Sequence, residues 1–255
     1  MGVHDAAATG FESASGEYER ARPGYPADAV DALIRRCEIG PGSRVLDLAC
    51  GTGKLTRALS PSGARVVGAD PVDGMLRRLV ESSGGVPVAE ATAEHLPFAS
   101  SVFDAVTVAQ AFHWFDGDAA LGEIHRVLRP AGGLALLWNI RDTTVPWVGR
   151  LNDVFNRYEG DVMRFWRGEW RHAFERSALF TPLERHEFRL DQTLTREGVI
   201  DRVLSVSFIA TLPAGERARV IDDVGRILDE NPETRGSDRI VLPYLTHLYT
   251  CRRTP

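Results

Sequence analysis

Residues 45–56 read Val-Leu-Asp-Leu-Ala-Cys-Gly-Thr-Gly-Lys-Leu-Thr, an apolar run that meets one acid, crosses two glycines and opens a helix-like pattern. Gly51 and Gly53 permit positive φ and a close approach of backbone to a ligand, and the N–H groups of a helix start would point into the same space. Such a segment is a strand-loop-helix cradle. Reactive residue types recur at the ends of later apolar runs: Asp70 closes the second, and Gln110-Ala111-Phe112-His113-Trp114-Phe115 follows the fourth. A carboxylate there can accept hydrogen bonds from ligand hydroxyls, and an imidazole with an ordinary pKa of about 6.5 can take a proton at neutral pH.

Spacing separates the ligands that such a cradle serves. A phosphate loop needs Gly-x-x-x-x-Gly-Lys-Ser/Thr, but Leu48 fills the first glycine position and Leu55 follows Lys54, where Mg²⁺ would need a hydroxyl. That reading is excluded. A dinucleotide fingerprint needs a third glycine three residues after Gly53, and Thr56 stands there. What remains, Asp47, Ala49, Gly51 and Gly53, resembles motif I of the class I S-adenosylmethionine-dependent methyltransferases, with Ala49 in place of the commonest first glycine. That cofactor has no phosphate, so a flexible turn without a third glycine suffices.

The resemblance implies roles residue by residue. Asp47, Ala49, Cys50, Gly51 and Gly53 would form the loop around the methionine moiety, with Cys50 a packed thiol rather than a nucleophile. Asp70, at 70 − 53 = 17 positions past Gly53 and followed by Pro71, would accept both ribose hydroxyls; a helix N-cap is its structural alternative. Met75 would pack on the adenine ring or simply fill core, and Ala93 and Glu94 would meet the adenine edge unless Glu94 is merely solvated. Gln110 and Ala111 would flank the methionine part. His113 and Trp114 would face the acceptor, His113 as a base or as a hydrogen-bonded structural histidine, Trp114 as an apolar wall. Tyr18 and Arg22 resemble residues that close over the cofactor in a small-molecule subgroup, against the alternative of a proline-stiffened linker. The implied reaction moves a methyl group in line to a small molecule, at a hydroxyl or carboxylate oxygen, leaving S-adenosylhomocysteine. Its rivals are a cofactor-binding enzyme of different chemistry and a non-catalytic partner protein.

Composition bounds these readings. The chain has 255 residues, 44% hydrophobic, enough for a sizeable core. A formal net charge of −5 gives no basic footprint for nucleic acid. Cys37, Cys50 and Cys251 are too few and too scattered for a disulfide framework or a metal site, which fits a reducing cytoplasm. No apolar run approaches the roughly 18 residues of a membrane span. The expected partner is a small molecule, and the expected assembly a monomer or homodimer.

The elements that must position these residues alternate. Apolar runs at 45–48, 65–69, 86–89, 103–109 and 134–138 read as strands buried on both faces, with helices at 27–36, 52–59, 73–82 and 118–128, the last ended by Pro130 and Gly132-Gly133. The pattern predicts one α/β domain over residues 1–255, a Rossmann-like doubly wound sheet of seven strands, mostly parallel with an antiparallel last strand. Residues 1–26 form an N-terminal arm or lid segment, 27–140 the cofactor-binding core and 183–255 the C-terminal part of the sheet. The latter has strands at 183–190 and 240–252, helices at 195–205 and 214–230, and Pro243 suggesting that the last strand starts near an edge. Residues 141–182 interleave aromatics with arginines and read as a helical cap inserted after the fifth strand. Trp147, Trp166 and Trp170 are its candidate substrate-binding walls, the alternative being aromatics as core and arginines as a solvated face.

Overall fold

The computed structural model describes residues 22–160 and 165–255, which divide into two compact units. The sheet unit comprises 24–138, 165–188 and 246–255, and the helical unit 22–23, 139–160 and 189–245.

In the sheet unit, helix α1 (Ala27–Arg36) buries Ala29, Val30, Ala32 and Leu33 at helical spacing, with Asp28 in its first turn and Arg35 and Arg36 in its last. These charges oppose the helix dipole at each end. Strands β1 (Arg44–Leu48), β2 (Arg65–Asp70), β3 (Val88–Glu90) and β4 (Phe103–Ala109) alternate with α2 (Lys54–Leu59) and α3 (Asp73–Ser83). Helix α4 (Gly117–Val127) leads into β5 (Leu128–Arg141). The sheet order is β3-β2-β1-β4-β5-β7-β6, where β6 is Glu184–Leu194 and β7 Ile240–Arg252. The pairs β1–β2, β1–β4, β2–β3 and β4–β5 are parallel, and the last strand is antiparallel, so the fold is the expected mixed, Rossmann-like one. Its apolar packing includes Leu33, Val45, Leu55, Leu59, Ala105, Leu137 and Leu248. Each large aliphatic side chain there contributes about 1.5–3 kcal/mol by burial.

Two local expectations change. Helix α4 stops at Val127 and β5 begins at once; Phe103 pairs with Leu128 and Ala105 with Gly133, so Pro130 and the glycines are taken up in a bulge rather than a loop. Strand β7 lies between β5 and β6, so Pro243 sits in an interior strand, where its carbonyl accepts from Asp142 N at 3.0 Å. Within the stretch read as a cap, residues 139–160 belong to the helical unit and 165–188, with α6 (Arg171–Arg176), to the sheet unit.

The helical unit is built by α5 (Pro146–Tyr158), α7 (Arg196–Leu204), α8 (Ser207–Ala210) and α9 (Ala214–Glu230). Its core joins Trp147, Val148, Leu151 and Phe155 of α5 to Val199, Val203, Ile209, Val220, Val224, Ile227 and Tyr244. The apolar positions of α5 repeat along one face, and Arg150 and Arg157 on the flank of that face pair with Glu230 and Asp223 of α9. Among the described residues no helix is long and apolar enough to cross a membrane.

Candidate functional site

Asp47 lies in register with Gly68 of β2 and Thr107 of β4. Its carboxylate is fully buried and accepts from Thr107 Oγ1 at 2.9 Å and from Thr56 Oγ1 at 2.6 Å. Burial raises its pKa to about 6 against the opposing pull of both hydroxyls. With both oxygens engaged, Asp47 ties β1, β4 and α2 together at the start of the loop.

Above it the backbone turns left-handed at Ala49 (φ 55°), Gly51 (φ 53°) and Gly53 (φ 85°). The two glycines serve different needs. A Cβ on Gly53 would lie 2.1 Å from Leu79 Cδ1, whereas one on Gly51 would meet nothing within 4 Å. Gly53 is required by packing and Gly51 fronts open space. Cys50 packs its sulfur over Gly68, whose added Cβ would lie 2.9 Å from it, and burial pushes the thiol well above its ordinary pKa. A thiol packed and raised in this way holds little thiolate at neutral pH.

Asp70 ends β2 beside this loop. One carboxylate oxygen accepts from Gly51 N and the other from Val72 N, each at 2.9 Å, the latter spanning the exposed Pro71. The bond to Val72 N is an Asx-type turn; α3 takes Val72 itself as its N-cap, so Asp70 is not the cap. Burial raises the Asp70 pKa while the two N–H donors oppose it. Each oxygen keeps a second lone pair for a hydroxyl donor. An open approach over Gly51 and an acid anchored to that same loop fit the sugar hydroxyls of a nucleoside.

The adenine-side candidates stand on neighbouring elements. Met75 is buried in the first turn of α3, and Ala93 is buried in the loop after β3. Glu94 accepts from Asp116 N at 3.0 Å, while Asp116 Oδ1 caps α4 through Ala119 N at 3.2 Å. The loop is clamped from α4: Arg126 donates to the carbonyls of Leu96 and Phe98 and to Glu123, and Glu123 accepts from Leu96 N. Arg126 holds the Glu123 pKa down to about 2.

After β4 the chain turns left-handed at Gln110 (φ 61°), whose N–H donates to Leu137 O, and passes Ala111 into a 3₁₀ turn at Phe112–Trp114. Phe112 anchors this turn among Phe115, Trp170 and Phe174. His113 is nearly buried, and Trp114, half-buried, lies with its ring 5.0 Å from the imidazole. Trp138 Nε1 donates to His113 Nδ1 at 3.2 Å. Trp170 stacks on Trp138 at 4.8 Å and donates Nε1 to Phe165 O, so it supports that indole from within an aromatic core.

The other predicted residues fall elsewhere. Trp147 is in the core of the helical unit, 3% exposed, with the packing of a structural residue. Arg22 also belongs to the helical unit and donates to Ser205 O at 3.4 Å. Tyr18 and the side chain of Trp166 lie outside the described residues. Sequence reasoning missed Thr56, Thr107, Trp138 and the Glu123–Arg126 clamp. A hydroxyl side chain among the apolar residues 105–109 was the available signal for Thr107.

A methyltransferase domain model matches residues 46–136. An uncharacterized methyltransferase of Mycobacterium tuberculosis is 40% identical over 239 residues, covering 92% of each chain. Two solved structures share the fold: the [4+2]-cyclase SpnF, at TM-score 0.63 and 17% identity over 97% of this chain and 96% of that one, and a Haemonchus contortus phosphoethanolamine N-methyltransferase in complex with phosphomonomethylethanolamine and S-adenosylhomocysteine. The latter has TM-score 0.60 and 18% identity, over 100% of this chain and 61% of that one.

Proposed function

The chain belongs to the class I S-adenosylmethionine-dependent methyltransferases, and from that premise we propose that it transfers the methyl group in line to an oxygen of a small molecule. The observation that carries the reading is Asp70, anchored by Gly51 N–H at the edge of the open space over that glycine. When bound, the cofactor supplies an activated methyl electrophile. Asp70 accepts from the ribose hydroxyls, Met75 packs on the adenine face, and Ala93 and Glu94 meet its edge. The loop 49–53 and the Gln110-Ala111 turn flank the methionine moiety. Trp114 and His113 face the acceptor and exclude water, so that positioning supplies most of the acceleration. The S-adenosylhomocysteine named with the nematode enzyme supports this choice of cofactor.

Titration calorimetry tests it. S-adenosylhomocysteine should bind, and Asp70→Ala should weaken it by about 1.5–3 kcal/mol, the scale of hydrogen bonds to a charged group. Heat with NAD and none with either form of the cofactor would refute the reading, and an unchanged affinity in Asp70→Ala would remove the ribose assignment.

A further inference from the structure

Helix α4 opens on half of a reciprocal cap. Asp116 Oδ1 accepts from Ala119 N at 3.2 Å, and in a complete capping box the residue at that third helical position returns a carboxylate or amide oxygen to the N–H of the capping residue. Ala119 has only a methyl group there. The missing half comes from another loop: Asp116 N donates to Glu94 Oε1 at 3.0 Å, across 22 positions of sequence. Glu94 stands third in a four-residue turn, Thr92 to His95, closed by His95 N donating to Thr92 O at 3.3 Å. Immediately before this turn, Ala91 N donates to the carbonyl of Asp70 at 3.3 Å. The turn therefore joins the end of β2 to the cap of α4, and Asp116 comes two residues after the Phe112–Trp114 turn.

We infer that Glu94 is a positioning residue that links the adenine side of the cofactor site to the turn carrying His113 and Trp114, so that cofactor binding steadies that turn. The inference rests on the cofactor assignment above. A reciprocal bond made within α4 would hold the helix start equally well and would be indifferent to any ligand. Supplied from the loop, it holds only while the loop is in place. A carboxylate has lone pairs for several donors, so one oxygen of Glu94 can keep Asp116 N–H while the other accepts from the exocyclic amine of adenine. Adenine and the helix start then fix the same side chain, and ordering one lowers the entropic cost of ordering the other. The link is reciprocal: a turn already steady favours the cofactor by the same factor.

Hydrogen exchange of the full chain, read by mass spectrometry on peptides spanning 112–121, follows the turn and the first turn of α4. It is run without ligand and with S-adenosylhomocysteine at a concentration that calorimetry shows to saturate each protein. Bound ligand should slow exchange there about fivefold or more in the wild type, the lower end of usual coupling between sites. Without ligand, Glu94→Ala should exchange about fivefold faster than the wild type, the scale of a lost cap. Adding Ala119→Glu to Glu94→Ala rebuilds the reciprocal bond within the helix. In that double variant, ligand-free exchange should return to within about twofold of the wild type, while the ligand effect stays below about twofold. A cap with a structural role alone predicts a full ligand effect in the double variant, and that result overturns the inference. So does a wild type whose exchange over 112–121 is unmoved by bound ligand. Calorimetry separates the failures: ligand bound without added protection strikes down the link alone, and absent binding to the wild type fails the cofactor assignment together with it.

Discussion

Replacing Gly53 and Gly51 in turn by alanine should separate what the loop does for folding from what it does for the ligand. At Gly53 the backbone is left-handed, φ 85° and ψ 28°, which costs an L-residue about 1–2 kcal/mol. The new Cβ would also fall 2.1 Å from Leu79 Cδ1. Leu79 is fully buried, and its other methyl lies 2.7 Å from where a Cβ on Gly68 would be, so the side chain is wedged between the two glycines. Overpacking of this kind costs about 1–3 kcal/mol. Reduced freedom of the unfolded chain returns only about 0.4–1 kcal/mol, so Gly53→Ala should lose roughly 2–4 kcal/mol. At Gly51 the same φ argument applies at 53°, but the Cβ meets nothing, leaving a loss of about 1 kcal/mol or less. That Cβ projects into the space assigned to the cofactor. Urea unfolding without ligand measures the first effect and calorimetry with S-adenosylhomocysteine the second. Gly51→Ala should fold well and bind at least about tenfold more weakly, a difference of about 1.4 kcal/mol. Equal stabilities of the two variants, or normal binding by Gly51→Ala, would refute the reasoning.

Three further outcomes follow from buried and clamped groups. Burial lifts Asp47 from 3.8 to about 6, so the folded state holds an extra proton in that interval; its stabilising effect is complete below the unfolded value and lost as pH rises through about 6. Relative to Asp47→Asn, the wild type should therefore lose about 3 kcal/mol between about pH 4 and pH 7 in urea unfolding, and parallel pH curves would contradict this. Glu123 has the opposite sign: Arg126 lowers it from 4.5 to about 2, so its contribution is present above the unfolded value and disappears as pH falls toward about 2. Glu123→Gln should cost about 1 kcal/mol at neutral pH, measured by urea unfolding, as expected of a partly exposed bidentate pair. The same change frees the loop carrying Ala93 and Glu94, so affinity for S-adenosylhomocysteine should fall severalfold; an unaltered titration would show that Arg126 alone holds the loop.

Much of the sheet unit was legible because its signals are local. Two-sided burial gives unbroken apolar runs, and glycines and acids at strand ends mark where backbone must leave the sheet. The helical unit was less legible. Helices at 195–205 and 214–230 were expected, but nothing in their own periodicity says that they pack with Trp147 and Phe155 of α5. An aromatic-rich stretch looks the same whether its rings face a substrate or each other; Trp147 and Trp170 each satisfy their surroundings from within a core.

Thr56 shows why the rest of the site could not be read. In the sequence it matters only as a missing glycine, evidence against a dinucleotide. In the fold its hydroxyl, 2.6 Å from Asp47, is half of what keeps a buried carboxylate satisfied. The two meanings are connected. A glycine there would bring helix and strand closer but would strip one donor from Asp47, leaving an acid that is fully buried with a single hydroxyl partner. The acid and the threonine are therefore a coupled choice, and removing either alone should cost more than exchanging both for apolar residues of similar shape. A double-mutant cycle on Asp47→Leu and Thr56→Val would test it: additive losses would show that the pair is not a unit.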